Sequence, residues 1–228
     1  MGSRSPLRSA RPYIIGVTGN IASGKSAVMA RLAALGAAIV DSDAVYHTLI
    51  APDRPLNRAL RQRFGEGIAR PDGTIDRAAL GHIVFADPAA LAALDALTHP
   101  PVEQALRQLI AAERAPIVAI DAVKLIEAGF DRDCDEAWVV LADRDQQIAR
   151  LMRRNDLTID DATRRVDAQP PLASKLDRAD VVIDNRGSIA ATLDQVDRAW
   201  KAAIDRSERR HAAGAAEHRT SRTEGQTS

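Results

Sequence analysis

Gly19-Asn20-Ile21-Ala22-Ser23-Gly24-Lys25-Ser26 fits the pattern G-x-x-x-x-G-K-[ST] and follows the apolar run Ile14-Ile15-Gly16-Val17. That order predicts a phosphate-binding loop between a buried strand and a helix. Glycines allow close approach and backbone conformations that a Cβ would block, so successive N–H groups can turn inward around the phosphates of a nucleotide. Lys25 is expected to reach the β- and γ-phosphates and Ser26 to offer its hydroxyl to Mg²⁺, while the helix that begins here points its positive end at the anion. The flanks agree with this reading, because Ala27 to Leu35 carries a helical apolar period and Gly36 stops it.

The whole chain narrows what such a loop can serve. Lys plus Arg number 31 and Asp plus Glu 31, so no global field recruits nucleic acid or an anionic membrane, and any anion site is local. Aromatic residues make up 3%, which leaves few stacking platforms for single-stranded nucleic acid. Cys134 is the sole cysteine; it cannot form an internal disulfide and favours a reducing, cytoplasmic setting. No apolar run approaches the roughly eighteen residues of a membrane span. At 228 residues the expectation is one α/β domain, a monomer or weak homo-oligomer, whose partner is a small molecule.

Along the chain, residues 1–11 are basic and Ser-rich and read as a disordered extension, with a transit peptide as the alternative. Ala37 to Val40 forms a second strand that ends at Asp41-Ser42-Asp43. Ligands of an open parallel sheet sit beyond the carboxyl ends of its strands, so Asp41 and Asp43 are expected to face the loop's ligand. Either Asp41 or Ser42 could instead cap the next helix. From Ala44 to Ala115 helical patches dominate (Pro55 to Phe64, Arg77 to Phe85, Pro88 to Leu97, Pro101 to Glu113), an insertion suited to cover an acceptor substrate. His99 falls before Pro100-Pro101, at an expected helix start, whereas His47 and His82 read as structural or exposed.

Pro116 to Asp121 is a third strand closed by an acid, Ala137 to Leu141 a fourth and Val181 to Asp184 a fifth. Asp121 is a candidate for holding Mg²⁺, directly or through water; a loop or cap acid is the other reading. Between strands four and five, Arg150 and Arg154 lie four apart on one helical face and can grip phosphoryl oxygens, although Asp160, Asp161 and Asp167 offer them solvated ion pairs. Ser188 to Ile204 reads as a closing amphipathic helix with Ile189, Leu193, Val196 and Trp200 inward, and Asp205 to Ser228 as a disordered tail.

Phosphoryl transfer needs alignment and charge neutralisation more than covalent help. Asp121-Ala122-Val123-Lys124 lacks the Asp-x-x-Gly of protein GTPases, no Asn-Lys-x-Asp occurs, and Ala122 stands where many ATPases carry a glutamate. These features favour transfer to a small acceptor over hydrolysis, with Asp43 placed as base or orienting acceptor.

From Tyr13 to Ile204 the chain resembles the dephospho-CoA kinase family. The resemblance rests on Thr18 to Ser26, Asp41-Ser42-Asp43, Asp72-Gly73-Thr74-Ile75-Asp76-Arg77 with Val84-Phe85, and His99-Pro100. It continues in Gln147 to Arg154, Arg165-Val166-Asp167-Ala168-Gln169 and Ala179 to Asn185. It implies a three-layer α/β/α fold of the P-loop type with a five-stranded parallel sheet, one domain over about 12–204, a helical CoA-binding part at about 44–115 and a lid at about 145–178. It also implies ATP- and Mg²⁺-dependent phosphorylation of the ribose 3′-hydroxyl of dephospho-coenzyme A. Carried over by position, Asp43, Lys25 and Arg150 are catalytic; Gly19 to Ala27, Arg150, Arg154 and Asn185 bind ATP; Thr18, Asp43, His99, Lys124 and Lys175 contact the acceptor; and Ser26 and Asp121 serve the metal. Asn20 and Ala27 stand where the family usually has Gly and Thr, and Val123-Lys124-Leu125 replaces its Pro-Leu-Leu, which brings a cation toward the substrate's phosphates. A kinase for another small acceptor is the rival, and a nucleotide-dependent switch the rival of another class.

Overall fold

The structure is a computed structural model that describes residues 11–224. Five strands, β1 (Tyr13–Gly19), β2 (Ala38–Asp41), β3 (Ile117–Asp121), β4 (Glu136–Leu141) and β5 (Val181–Asp184), form one parallel sheet in the order β2-β3-β1-β4-β5. Because successive side chains of a strand point to opposite faces, β1 feeds two cores. Tyr13, Ile15 and Val17 pack with Val28, Met29 and Leu32 of α1 (Lys25–Ala34) and with Val196, Trp200 and Ala203 of the C-terminal helix. Ile14 packs on the other face with Val118, Ile120, Leu125 and Phe130. Gly16 shares that face because Leu125 occupies its side-chain space: a Cβ there would lie 2.6 Å from Leu125 Cδ2.

The insertion between β2 and β3 is helical: α2 (Ser42–Leu49), α3 (Pro55–Phe64), α4 (Arg77–Ala86) and α5 (Pro88–Ala112). It has a core of its own, including Ile50, Leu60, Ile68, Leu80 and Val84. The two helices expected on either side of Pro100-Pro101 are in fact one. Prolines at these positions remove two backbone donors, at a cost of about 3 kcal/mol each. Burial on both sides offsets this: Ala90 lies in the insertion's core, and Leu106 and Ile110 lie in the sheet's core. His99 accordingly sits in mid-helix rather than at a start.

Between β4 and β5 come α6 (Arg144–Asn155), α7 (Ile159–Asp167) and the short α8 (Ala173–Leu176). Ile148, Leu151, Ala162 and Val166 pack together there, and Ile21 and Ala22 of the phosphate loop join them. The apolar seam of this pair is thus partly made by the loop it covers.

The last helix, α9 (Ile189–Glu224), differs from expectation in two ways. Its inward stripe is Thr192, Val196, Trp200 and Ala203, while Ile189 is exposed. It also continues through Asp205, where a disordered tail was expected. Arg206 Nε donates to Glu136 Oε1 at 2.6 Å and Arg210 Nη1 to Asp135 Oδ1 at 2.6 Å, which ties that segment to the amino end of β4. Arg11 Nη2 meets the same Asp135 carboxylate at 3.1 Å. The rest of the expected N-terminal extension, residues 1–10, and the end of the tail, residues 225–228, lie outside the described residues.

Candidate active site

The loop from Gly19 to Ser26 joins β1 to α1. Gly24 caps α1 at φ 96°, with no side chain bonded to the helix's first amides and no acid in its first turn; Ala27 N donates to Gly24 O, and the Lys25 and Ser26 amides before it are open to an anion. Ala22 also sits in the left-handed region at φ 56°, a conformation a non-glycine residue keeps only when its surroundings enforce it. Here they do. Arg150 Nη1 donates to Ala22 O and Ser23 O, both at 3.2 Å, and its Nη2 donates to Asn185 O at 3.1 Å. Asn185 Nδ2 donates to Ser23 O at 2.7 Å, Thr192 donates to Asn185 Oδ1 at 2.9 Å, and Ile21 N donates to Gln169 Oε1 at 2.6 Å.

A cavity of about 970 Å³ opens in front of the loop, walled by Asn20 to Ser26, by Asp41, Asp43 and Asp121, and by Arg150, Arg153 and Arg154. The Lys25 ammonium is ion-paired to the Asp121 carboxylate. Burial pushes Lys25 below the ordinary lysine value, and the Asp43 and Asp41 carboxylates oppose that shift. Asp41 is the helix cap: its Oδ1 accepts from Asp43 N at 2.8 Å and Ala44 N at 3.1 Å. Capping by Asp41 leaves Asp43, in the first turn of α2, exposed and facing the cavity. The alternatives posed by Asp41-Ser42-Asp43 thus coexist: Asp41 caps α2 while also lining the nucleotide cavity, and Asp43 lines that cavity without a cap role.

A second, more apolar cavity of about 320 Å³ lies between the insertion and β3, lined by Tyr46, Leu80, Val84, His99 and Lys124 among others. Asp43 and Arg77 line both cavities. Lys124 Nζ is 2.9 Å from Asp95 Oδ1, and His99 Nε2 is 3.4 Å from the same oxygen. The cation that replaces a family leucine thus faces the second cavity already paired.

Three expected ligand contacts are placed elsewhere. Thr18 is fully buried, with its hydroxyl donating to Val123 O at 2.9 Å. Lys175 is 2% exposed, and its ammonium donates to Val123 O and Glu127 Oε2 at 2.8 Å and to Thr18 at 3.4 Å. A buried ammonium needs such partners to offset its desolvation, and both residues hold the segment after β3. Asn185 is also buried and supports the loop from behind. Conversely, Arg77, Arg153 and Gln169 line the site without having been assigned to it; all three stand inside runs that resemble the family, but nothing local marks them.

A profile of the family described as dephospho-CoA kinase matches residues 13–191. The dephospho-CoA kinase of Symbiobacterium thermophilum is 46% identical over 208 residues, 90% of this chain and 87% of the relative. That of Geobacter metallireducens is 44% identical over 199 residues, 86% of this chain and 99% of the relative. A crystal structure from Thermus thermophilus superposes with a TM-score of 0.74 at 34% identity, covering 85% of this chain and 98% of its own. Dephospho-CoA kinase from Campylobacter jejuni shares the fold at a TM-score of 0.60 and 24% identity, over 82% and 95% of the two chains.

Proposed function

The chain belongs to the dephospho-CoA kinase family, and from that membership and its paired cavities we propose that it transfers the γ-phosphoryl group of ATP to the ribose 3′-hydroxyl of dephospho-coenzyme A. The products are coenzyme A and ADP, and the reaction is the last step of coenzyme A biosynthesis. The observation that carries the reading is the position of Asp43, whose carboxylate has no ion pair among the described residues and lines both the nucleotide cavity and the apolar cavity beside it. A group so placed can accept the proton of an acceptor hydroxyl or hold that hydroxyl toward the phosphorus.

The donor side follows from the loop. Its open amides and the helix dipole bind phosphate oxygens. Lys25, held over the cavity by Asp121, neutralises charge on the transferring group, and Arg150 and Arg154 add cations from α6. The residues fit Mg²⁺: Ser26 and Asp121 are hard oxygen donors that both line the nucleotide cavity, and this ion takes only one or two carboxylates beside substrate phosphates and water. When bound it neutralises the β- and γ-phosphate oxygens. We further assign a cytoplasmic, monomeric or weakly self-associating enzyme; no helix among the described residues is long and apolar enough to cross a membrane.

A coupled assay offering ATP, Mg²⁺ and a panel of acceptors tests the reading. Dephospho-coenzyme A is expected to be the substrate that turns over, and Asp43→Asn to lose turnover by about two to four orders of magnitude with ATP binding kept. No turnover of dephospho-coenzyme A by folded protein would sink the acceptor assignment, and near-normal Asp43→Asn the role of the acid.

A further inference from the structure

Arg77 is the first residue of α4, behind the cap in which Asp76 Oδ1 accepts from Ala78 N and Ala79 N at 3.0 and 3.1 Å. That cap fixes where the helix begins and so where the guanidinium departs from the backbone. The side chain lines both cavities, as Asp43 does. Asp43 and His47 are four residues apart on α2 and share a face, and His47 Nε2 stands 2.9 Å from Arg77 Nη1. A guanidinium only donates, so the imidazole nitrogen accepts and the ring proton is on Nδ1. Asp43 and Arg77 therefore stand at the seam between the cavities, and His47 supports Arg77 from the face of α2 that carries Asp43.

The charges on the two sides of that seam differ. The nucleotide cavity already holds Lys25, Arg150, Arg153 and Arg154. On the acceptor side Lys124 is neutralised by Asp95. Arg77 has no carboxylate partner among the described residues, only the neutral imidazole of His47. An unpaired guanidinium offers a planar fork that matches two phosphate oxygens at once, which an ammonium cannot do.

We propose that Arg77, steadied by His47, anchors the diphosphate of the acceptor and thereby sets the reach of its ribose to Asp43. The inference rests on the acceptor reading given above and deepens it: Arg77 becomes the residue that distinguishes a diphosphate-bearing acceptor from a bare nucleoside, and His47 a positioning residue acting through it.

Calorimetric binding and steady-state kinetics of the full chain test this with dephospho-coenzyme A and adenosine as probes. Arg77→Ala is expected to weaken dephospho-coenzyme A binding about ten- to hundredfold, the loss of a charge-assisted hydrogen-bonded pair. It raises the acceptor KM in step, keeps kcat at saturating acceptor within a few-fold, flattens the salt dependence of acceptor binding and leaves adenosine affinity unchanged. Arg77→Lys recovers part of the loss, because it restores charge without the fork. His47→Ala raises the acceptor KM a few-fold with the ATP KM unchanged, a split that a general folding lesion does not give. Unaltered acceptor affinity in folded Arg77→Ala or Arg77→Lys overturns the proposal. So does a fall in kcat alone, which would put Arg77 on the transferring phosphoryl group. Wild-type protein that fails to bind dephospho-coenzyme A overturns it too, together with the acceptor assignment; the two failures are told apart by the wild-type arm.

Discussion

Asn185 Nδ2 occupies the space that a side chain on Gly24 would need: an ideal Cβ built on Gly24 lies 1.9 Å from it. The same amide donates to Ser23 O at 2.7 Å, so the contact that excludes a Cβ also holds the phosphate loop in shape. Gly24 is therefore demanded twice, by its φ of 96° and by its neighbour.

Gly24→Ala is expected to reduce ATP affinity by at least about tenfold, since the left-handed conformation alone costs roughly 1–2 kcal/mol with a Cβ present. Adding Asn185→Ala relieves the clash but not the backbone strain. The double variant should bind ATP better than Gly24→Ala and worse than the wild type. Strictly additive losses in an ATP titration of all four proteins would show that the two residues do not oppose each other.

Truncation after Ile204 removes Arg206 and Arg210. Glu136 is 4% exposed, and without Arg206 its carboxylate keeps only the Tyr13 hydroxyl and Trp138 Nε1, at 2.5 and 2.8 Å. Leaving a buried charge without its cation is strongly destabilising, but the Arg206 side chain is 41% exposed, so solvent screening reduces the loss to about 2 kcal/mol. Urea titration should show the lower midpoint, with turnover per folded molecule preserved. An unchanged midpoint would mean that the helical extension is not part of the folded unit.

Alkaline stability should fall in a defined window. Burial pushes the Tyr13 phenol up to about 12 from 10.0, with the Glu136 carboxylate adding to the shift. Above pH 10 the unfolded chain releases this proton while the folded chain keeps it, so stability drops between pH 10 and 12 and is fully present below. The Cys134 thiol, pushed up to about 12 from 9.0 by burial and by Asp131, Asp133 and Asp135, adds a loss that begins near pH 9. Melting curves from pH 8 to 11.5 should decline less steeply above pH 10 for Tyr13→Phe, and less steeply from pH 9 for Cys134→Ser. Parallel slopes for all three proteins would refute this assignment.

Lys124→Leu restores the residue type usual in the family and leaves Asp95 facing the apolar cavity with His99 alone, at 3.4 Å. An exposed pair of this kind is worth up to about 1 kcal/mol, so the acceptor KM should rise about two- to fivefold through repulsion of the substrate's phosphates. Lys124→Leu combined with Asp95→Asn should bring it back. If the double variant stays impaired, Lys124 contacts the substrate directly rather than masking Asp95.

Much of the architecture was legible because local signals repeat the global arrangement. β5 was expected at Val181 to Asp184 and α3 at Pro55 to Phe64, and both are found there. Apolar runs ending in an acid marked β2 and β3; β3, buried on both faces, reads as an unbroken apolar run, and β2 keeps the same pattern although it is an edge strand with Ile39 exposed. The signals failed where distant packing overrode local chemistry. Pro100-Pro101 reads as a helix boundary, yet two cores hold α5 as one helix across it. Polar composition after Ile204 reads as a tail, yet Glu136 and Asp135, some seventy residues earlier, bind its arginines.

By itself, the order of residues from Gly19 to Ser26, with an acid at the end of each of the next two strands, determined that this protein binds phosphate at the carboxyl edge of a parallel sheet. Glycine, lysine and strand chemistry act over a few residues, so their consequences can be read in the chain. Only the tertiary structure decided which polar groups line the cavities and which are held by other side chains. It buried Thr18 and Lys175 against Val123, set Asn185 behind Gly24, gave Asp41 a helix cap, and brought Arg77 to the same two cavities as Asp43 from thirty-four residues away. Whether a polar side chain faces a cavity or another side chain depends on which distant backbone packs against it, and no local pattern carries that information.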